Sequence, residues 1–228
     1  MSEAESSATL THPIESERAR ESSVSDKYER LPDASQVALT ARNLEANGFR
    51  TIVVSSKEEA RRTVEELLPQ GAEVFDSTSV TLEETGIART ILESGRYDPI
   101  RPALLRFMSE GKKSEARRLG ASPEYIVGSV HAITEKGQVV VASATGSQLG
   151  PYSYGAEHVI WVAGTQKIVR DLDEANDRIF SHTLPKESER ARKAYGVPGS
   201  VVAKLLVVNR EVQPGRVTIV LVNERLGF

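Results

Sequence analysis

Residues 125–179 constrain the fold of this chain most. They contain two short apolar runs, VVVA at 139–142 and VIWV at 159–162, neither broken by a polar residue. A strand with one wet face alternates polar and apolar side chains, so uninterrupted β-branched runs of this length predict strands covered on both faces. That is the arrangement of a parallel sheet flanked by helices. In such sheets ligands bind beyond the carboxyl ends of the strands, where loops and helix amino-termini converge, so the polar residues after each run are the candidates for function.

Upstream, the same alternation repeats. A helix pattern at 31–47 ends at Asn47-Gly48, a strand at 49–54 follows, and Ala60, Val64, Leu67 and Leu68 then recur at helical spacing until Pro69-Gln70-Gly71 stops them. Residues 72–75 form the next expected strand. After Asp76-Ser77-Thr78-Ser79, the residues Val80, Glu84, Ile87 and Ile91 fall on one side of an expected helix; a second helix is expected over 103–119 and a strand over 125–128. Near the carboxyl end, 204–209 and 216–222 read as two strands joined through Pro214-Gly215, which predicts an antiparallel pair at a sheet edge. The fold class expected is therefore α/β: a mainly parallel sheet with helices on both faces and a carboxyl-terminal antiparallel strand pair. Residues 1–30, rich in Ser, Glu and Arg and poor in large apolar side chains, read as a disordered tail, and 31–228 as one domain.

Composition narrows the function. The net charge is −3, with both signs interspersed rather than gathered on a basic stretch, which argues against nucleic-acid binding. No apolar run reaches the roughly 18–20 residues of a membrane span and no hydrophobic signal core opens the sequence, so a cytoplasmic protein is expected. There is no cysteine. Disulfides, a thiolate nucleophile, thiolate-bound zinc and a self-contained iron–sulfur cluster are thereby excluded for this chain. His12, His131, His158 and His182 are scattered without metal-ligand spacing.

The candidate site residues each have two readings. Glu84 interrupts an apolar stripe: it is either a desolvated functional carboxylate or a helix-start acid that complements the dipole, with Ser79 or Thr81 as the cap. Glu135, in Glu135-Lys136-Gly137, is either part of a hairpin turn in which Gly137 supplies a positive φ or a base or nucleophile at a cleft edge. The small and hydroxyl residues Thr145, Gly146, Ser147 and Gln148 follow a strand. They either turn backbone N–H groups toward an anion or make a tight, capped crossover, and they match neither the Walker spacing nor the dinucleotide fingerprint. Lys167, just past the carboxyl end of the 156–163 strand, either meets a substrate carboxylate or phosphate or lies on the surface.

Several ordered blocks together resemble a known family. SVTLEETGI at 79–87, AITEKG at 132–137, Gly146-Ser147-Gln148, VIWVAG at 159–164, and Lys167-Ile168-Val169 leading to Asp171-Leu172 are similar to the LUD-domain proteins of the lactate utilisation protein C type. The resemblance runs from about Leu39 to the carboxyl end. It implies a fold like that of ribose-5-phosphate isomerase and the coenzyme A transferases. It also implies a role in oxidation of L-lactate to pyruvate beside iron–sulfur partner subunits, which would carry the clusters while this chain binds no cofactor. His131 stands where many relatives have Asn. Thr134-Glu135-Lys136-Gly137 resembles the Ser-Glu-Asn-Gly turn that holds the coenzyme A transferase glutamate. The combined expectation is one cleft in which the loop after 72–75, the 134–137 turn and the 145–148 segment converge. Glu84 and Glu135 would be its acid and base groups, Ser79, Thr81, Thr145, Gly146, Ser147, Gln148 and Lys167 would bind a small carboxylate, and an acyl-coenzyme A or sugar-phosphate ligand is the alternative.

Overall fold

The structure, a computed structural model, describes residues 27–228. Helix α1 (Ala34–Ala46) starts at Asp33, whose carboxylate accepts the Gln36 N–H, and leads into β1 (Arg50–Val54). Helix α2 (Lys57–Leu67) is capped in the same way by Ser56, and β2 (Glu73–Asp76) follows. The single helix expected after Asp76 is two helices, α3 (Val80–Glu84) and α4 (Ile87–Glu93), because Gly86 takes φ 74° between them. A short β3 (Asp98–Pro99) precedes α5 (Arg101–Ser109) and α6 (Lys113–Ala121), again split at a glycine, Gly111, with φ 74°. Strands β4 (Tyr125–Gly128), β5 (Ala132–Thr134), β6 (Val139–Ser143), β7 (His158–Gly164) and β8 (Ile168–Val169) come next. Helices α7 (Leu172–Arg178) and α8 (Leu184–Tyr195), then β9 (Lys204–Val208) and β10 (Val217–Val222), complete the chain.

Six strands form one parallel sheet in the order β1-β10-β7-β4-β2-β3, and β8-β5-β6-β9 form a second, mixed sheet. The mainly parallel sheet with helices on both faces is as expected; the carboxyl-terminal antiparallel pair is not found. β10 lies inside the parallel sheet between β1 and β7, while β9 is an edge of the second sheet, antiparallel to β6. The reason lies in their side chains. All six residues of β10 are buried, so it needs neighbours on both edges and cover on both faces, whereas β9 has only exposed and half-buried positions, as an edge permits.

Three apolar layers hold these elements together. On one face of the parallel sheet, Ala60, Val64, Leu82, Ile87 and Ile91 from α2, α3 and α4 cover Val127, Ile160, Val162 and Val220. On the other face, Ile126, Trp161, Ile219 and their neighbours pack against Leu44 of α1, Leu104 and Leu119 of α5 and α6, and Ile133 and Val141 of the second sheet. The far side of the second sheet is closed by Ala175 and Ile179, while Leu172 is exposed. Of the expected tail, residues 1–26 lie outside the described residues. Tyr28, assigned to that tail, is buried in the third layer, because an aromatic ring beside Arg178 and His182 supplies the apolar contact its neighbours lack.

The connections set the functional end. From β2 the chain passes outward to β3 over the α2 face; from β3 it returns over the opposite face to β4, and from β4 it moves away toward β7. Loops leaving the carboxyl ends of the neighbouring strands β2 and β4 therefore diverge, which opens a crevice at this switch point.

Candidate functional site

A cleft of about 390 Å³ occupies that crevice, within the range of small-molecule sites. Ser77, Thr78 and Ser79 reach it from the end of β2, Ser129 and His131 from the end of β4, and Lys167 from the end of β7. The second sheet contributes Ser143 from the end of β6 and Thr145, Ser147 and Gln148 from beyond it, and Arg101, Thr183 and Phe228 also line the cleft. Hydroxyl groups dominate the polar lining, and the carboxylate among the lining residues, Glu187, is held by both ends of Arg190 at 2.8 and 2.7 Å.

Lys167 is the chemical centre of this cleft. A 3₁₀ turn, Thr165–Lys167, carries the chain out of β7 and into β8, so that the side chain stands where the two sheets meet. Its Nζ lies 3.0 Å from both Thr81 Oγ1 and Ser129 Oγ, those two oxygens are 3.2 Å apart, and the residue is only 2% exposed. No carboxylate among the described residues lies within salt-bridge distance of it. Burial, reinforced by the positive charge of Arg178 and opposed by Glu84, brings its pKa down to about 7. The amine is thus held by neutral hydroxyls at a pH where both of its protonation states are populated.

Behind Lys167 lies a second layer of buried polar groups. Arg178 donates through Nη1 to the His131 carbonyl at 2.6 Å and to Thr183 Oγ1 at 3.0 Å, while its Nε and Nη2 have no partner among the described residues. Burial moves its pKa down to about 10. His131 accepts the Ala142 N–H through Nδ1 at 3.1 Å, which leaves the proton of its neutral ring on Nε2; burial, then the charges of Lys167 and Arg178, press its pKa down to about 3. His182 is buried with neither ring nitrogen partnered among the described residues, and burial with the Arg178 charge lowers its pKa to about 4. At the cleft floor, Ser77 Oγ and Tyr152 Oη share a hydrogen bond at 2.8 Å beside Gly128, where any Cβ would collide with both. Burial pushes the Asp76 carboxyl upward despite Arg101, whose Nε donates to Oδ2 at 2.8 Å.

Of the residues expected in the site, Ser79, Thr81, Thr145, Ser147, Gln148 and Lys167 line the cleft, and Gly146 makes the turn between them with φ 85°. The loop after β2 and the 145–148 segment converge as expected. Neither Glu84 nor Glu135 lines it. The hairpin β5–β6 runs away from the cleft, so Glu135 at its tip sits on the order of 10 Å along the strand from the His131 end, given about 3.3 Å per residue. There Glu135 accepts from Gln36 Nε2 at 2.7 Å, and its carbonyl and that of Lys136 are bound by Asn43 and Asn47 of the α1 end. Glu84 is exposed and accepts the Gly227 N–H at 2.8 Å, because the break at Gly86 ends α3 before its apolar stripe can bury a carboxylate. The expected carboxylate pair therefore shares no cavity, although Glu84 still acts on Lys167 through its charge. Sequence reading passed over Arg101, Ser129 and Arg178. Arg178 had a signal, since it lies three residues after Ala175 on the same buried face of α7.

Over residues 37–222 the chain matches the LUD domain. No curated protein matches it. Among solved structures, a DUF162 family protein from Deinococcus radiodurans is similar in fold, with 12% identity and a TM-score of 0.54 over 85% of this chain and 100% of that one. Ribose 5-phosphate isomerase from Plasmodium falciparum matches at 13% identity and TM-score 0.33 over 50% of this chain and 52% of its own. The eIF2B beta subunit of Chaetomium thermophilum matches at 11% identity and TM-score 0.35 over 52% and 44%. Because the domain match spans β1 through β10, and with them every strand that frames the cleft, the chain belongs to the LUD-domain family.

Proposed function

We propose that the cleft binds a small hydroxy- or keto-carboxylate and that the chain serves an L-lactate utilisation system, supporting oxidation of L-lactate to pyruvate with iron–sulfur partner subunits. The observation that carries this reading is Lys167, a buried amine on the cleft wall with two hydroxyl partners and no carboxylate partner among the described residues. An anion entering the cleft supplies the missing counter-charge and returns the amine to its ammonium form, while Ser79, Ser129 and Thr81 offer hydrogen bonds to oxygen. Oxidation of lactate releases two electrons and two protons. A chain without cysteine has no thiolates to hold a cluster, so the electrons pass to partners that do.

Deleting the gene is expected to abolish growth on L-lactate and leave growth on pyruvate intact; unchanged growth on lactate contradicts the role. One observation favours a second reading, a sugar-phosphate or acyl-coenzyme A site: at about 390 Å³ the cleft is larger than a three-carbon acid needs. A thermal-shift screen of the full chain with L-lactate, pyruvate, ribose 5-phosphate and acetyl-coenzyme A separates the two, since only a ligand that binds the folded chain raises its melting temperature.

A further inference from the structure

We propose that the Lys167 amine condenses with the carbonyl carbon of a 2-oxo acid, so that the cleft holds a keto acid as a reversible imine. The inference rests on the carboxylate-site reading above and names the member of that class that the site treats differently from the rest.

Three observations support it. A lysine placed only to meet an anion works best as a permanent ammonium, yet Lys167 is stripped of water and lies near the like charge of Arg178, which favours the neutral, nucleophilic amine. Its partners suit either state. The Thr81 and Ser129 hydroxyls accept from an ammonium, and one of them can turn to donate to the single lone pair of the neutral amine, which a carboxylate cannot do. The amine also faces ligand space, because Lys167, Thr81 and Ser129 all line the cleft.

The step balances without an oxidant or reductant. The nitrogen lone pair attacks the carbonyl carbon, a C–N bond forms as the C–O π bond opens, and the oxygen takes a proton to give a carbinolamine. The remaining C–O bond then breaks and one water leaves, carrying off as its two hydrogens the two that the neutral amine gives up. Ser129 and Thr81, 3.2 Å apart and each 3.0 Å from Nζ, are placed to pass these protons. A 2-hydroxy acid such as L-lactate has no carbonyl to attack. The site therefore distinguishes oxidised from reduced acid by bond formation rather than by shape alone.

The test is borohydride trapping on the full chain, with peptide mass mapping, in the presence of pyruvate, glyoxylate or L-lactate. The expected result is one reduced oxo-acid adduct on the peptide bearing Lys167 with pyruvate and with glyoxylate, none with L-lactate, and none in Lys167→Met. Mapping on the wild-type chain keeps the test decisive even if that variant folds poorly. Pyruvate that raises the melting temperature but leaves no adduct overturns the imine and spares the carboxylate-site reading. An adduct with glyoxylate alone supports the reactive amine and removes pyruvate as the ligand. Adducts spread over other lysines, or none on Lys167 with either oxo acid, overturn the proposal.

Discussion

The two ends of the parallel sheet treat a buried cation in opposite ways. At the amino end, Arg216 precedes β10 with every donor group used: Nε meets the Ala156 carbonyl at 3.1 Å, Nη2 meets the Pro151 and Tyr152 carbonyls at 3.0 Å, and Nη1 meets Glu211 at 2.8 Å. At the carboxyl end, Lys167 is as deeply buried but leans on two hydroxyls, and Arg178 leaves two nitrogens without partners among the described residues. A buried charge costs stability unless paired and hydrogen-bonded, so the amino end is built to hold the fold, while the carboxyl end keeps charge that a ligand can complete.

The largest effect is expected at Arg216. Arg216→Met removes the guanidinium that Glu211 and three carbonyls share, and a loss of about 3–5 kcal/mol is expected in urea unfolding, the usual cost of removing one partner of a buried pair. A loss near zero would mean that the amino end is no better satisfied than the cleft.

The histidines beside the cleft make stability depend on pH. His131 and His182 have folded pKa values of about 3 and about 4 against 6.5 unfolded. Below pH 6.5 the unfolded chain binds protons that the folded chain refuses, so stability falls as pH drops. Each histidine contributes a slope approaching about 1.4 kcal/mol per pH unit. Between pH 6.5 and 5 these groups act before carboxylates such as Glu29, which the Lys186 hydrogen bond holds below 4.5. Asp76, raised by burial, works with the opposite sign, so the comparison is made between chains: replacing His131 by Asn and His182 by Gln should flatten the fall seen in wild type. Parallel curves would contradict neutral burial of these rings.

The smallest effect is expected at Glu135. At the hairpin tip its carboxylate holds one hydrogen bond among the described residues, from Gln36, and Glu135→Gln keeps an acceptor there, so a change of less than about 1 kcal/mol and unaltered ligand binding are expected in the thermal-shift assay. Loss of binding would return Glu135 to the site.

The sequence made some of this legible and hid the rest for identifiable reasons. The apolar runs at 139–142 and 159–162 are buried strands, and Gly137 with φ 78° turns the hairpin, because strand burial and positive φ are local properties that composition exposes. Lys167 was found by its place after a strand. What stayed hidden depends on partners distant in the chain. That the two runs belong to different sheets, and that β10 slots between β1 and β7, follows from packing across more than 50 residues. Ser129 and Thr81 meet Lys167 from 38 and 86 residues away. Glu84 and Glu135 misled because family-like blocks and helical spacing give residue type without the direction of the hairpin or the break at Gly86.

Lys167 is buried for a ligand and Arg216 for the fold, and Lys167→Met separates the two roles. Calorimetric titration of the variant with L-lactate and pyruvate, beside urea unfolding of the same sample, reads both consequences at once. The prediction is stability equal to or above wild type, since a desolvated amine is replaced by an apolar chain of similar length, together with at least about tenfold weaker binding, the loss expected for a charged hydrogen bond. Unchanged affinity, or a collapse in stability of the Arg216→Met kind, would contradict it.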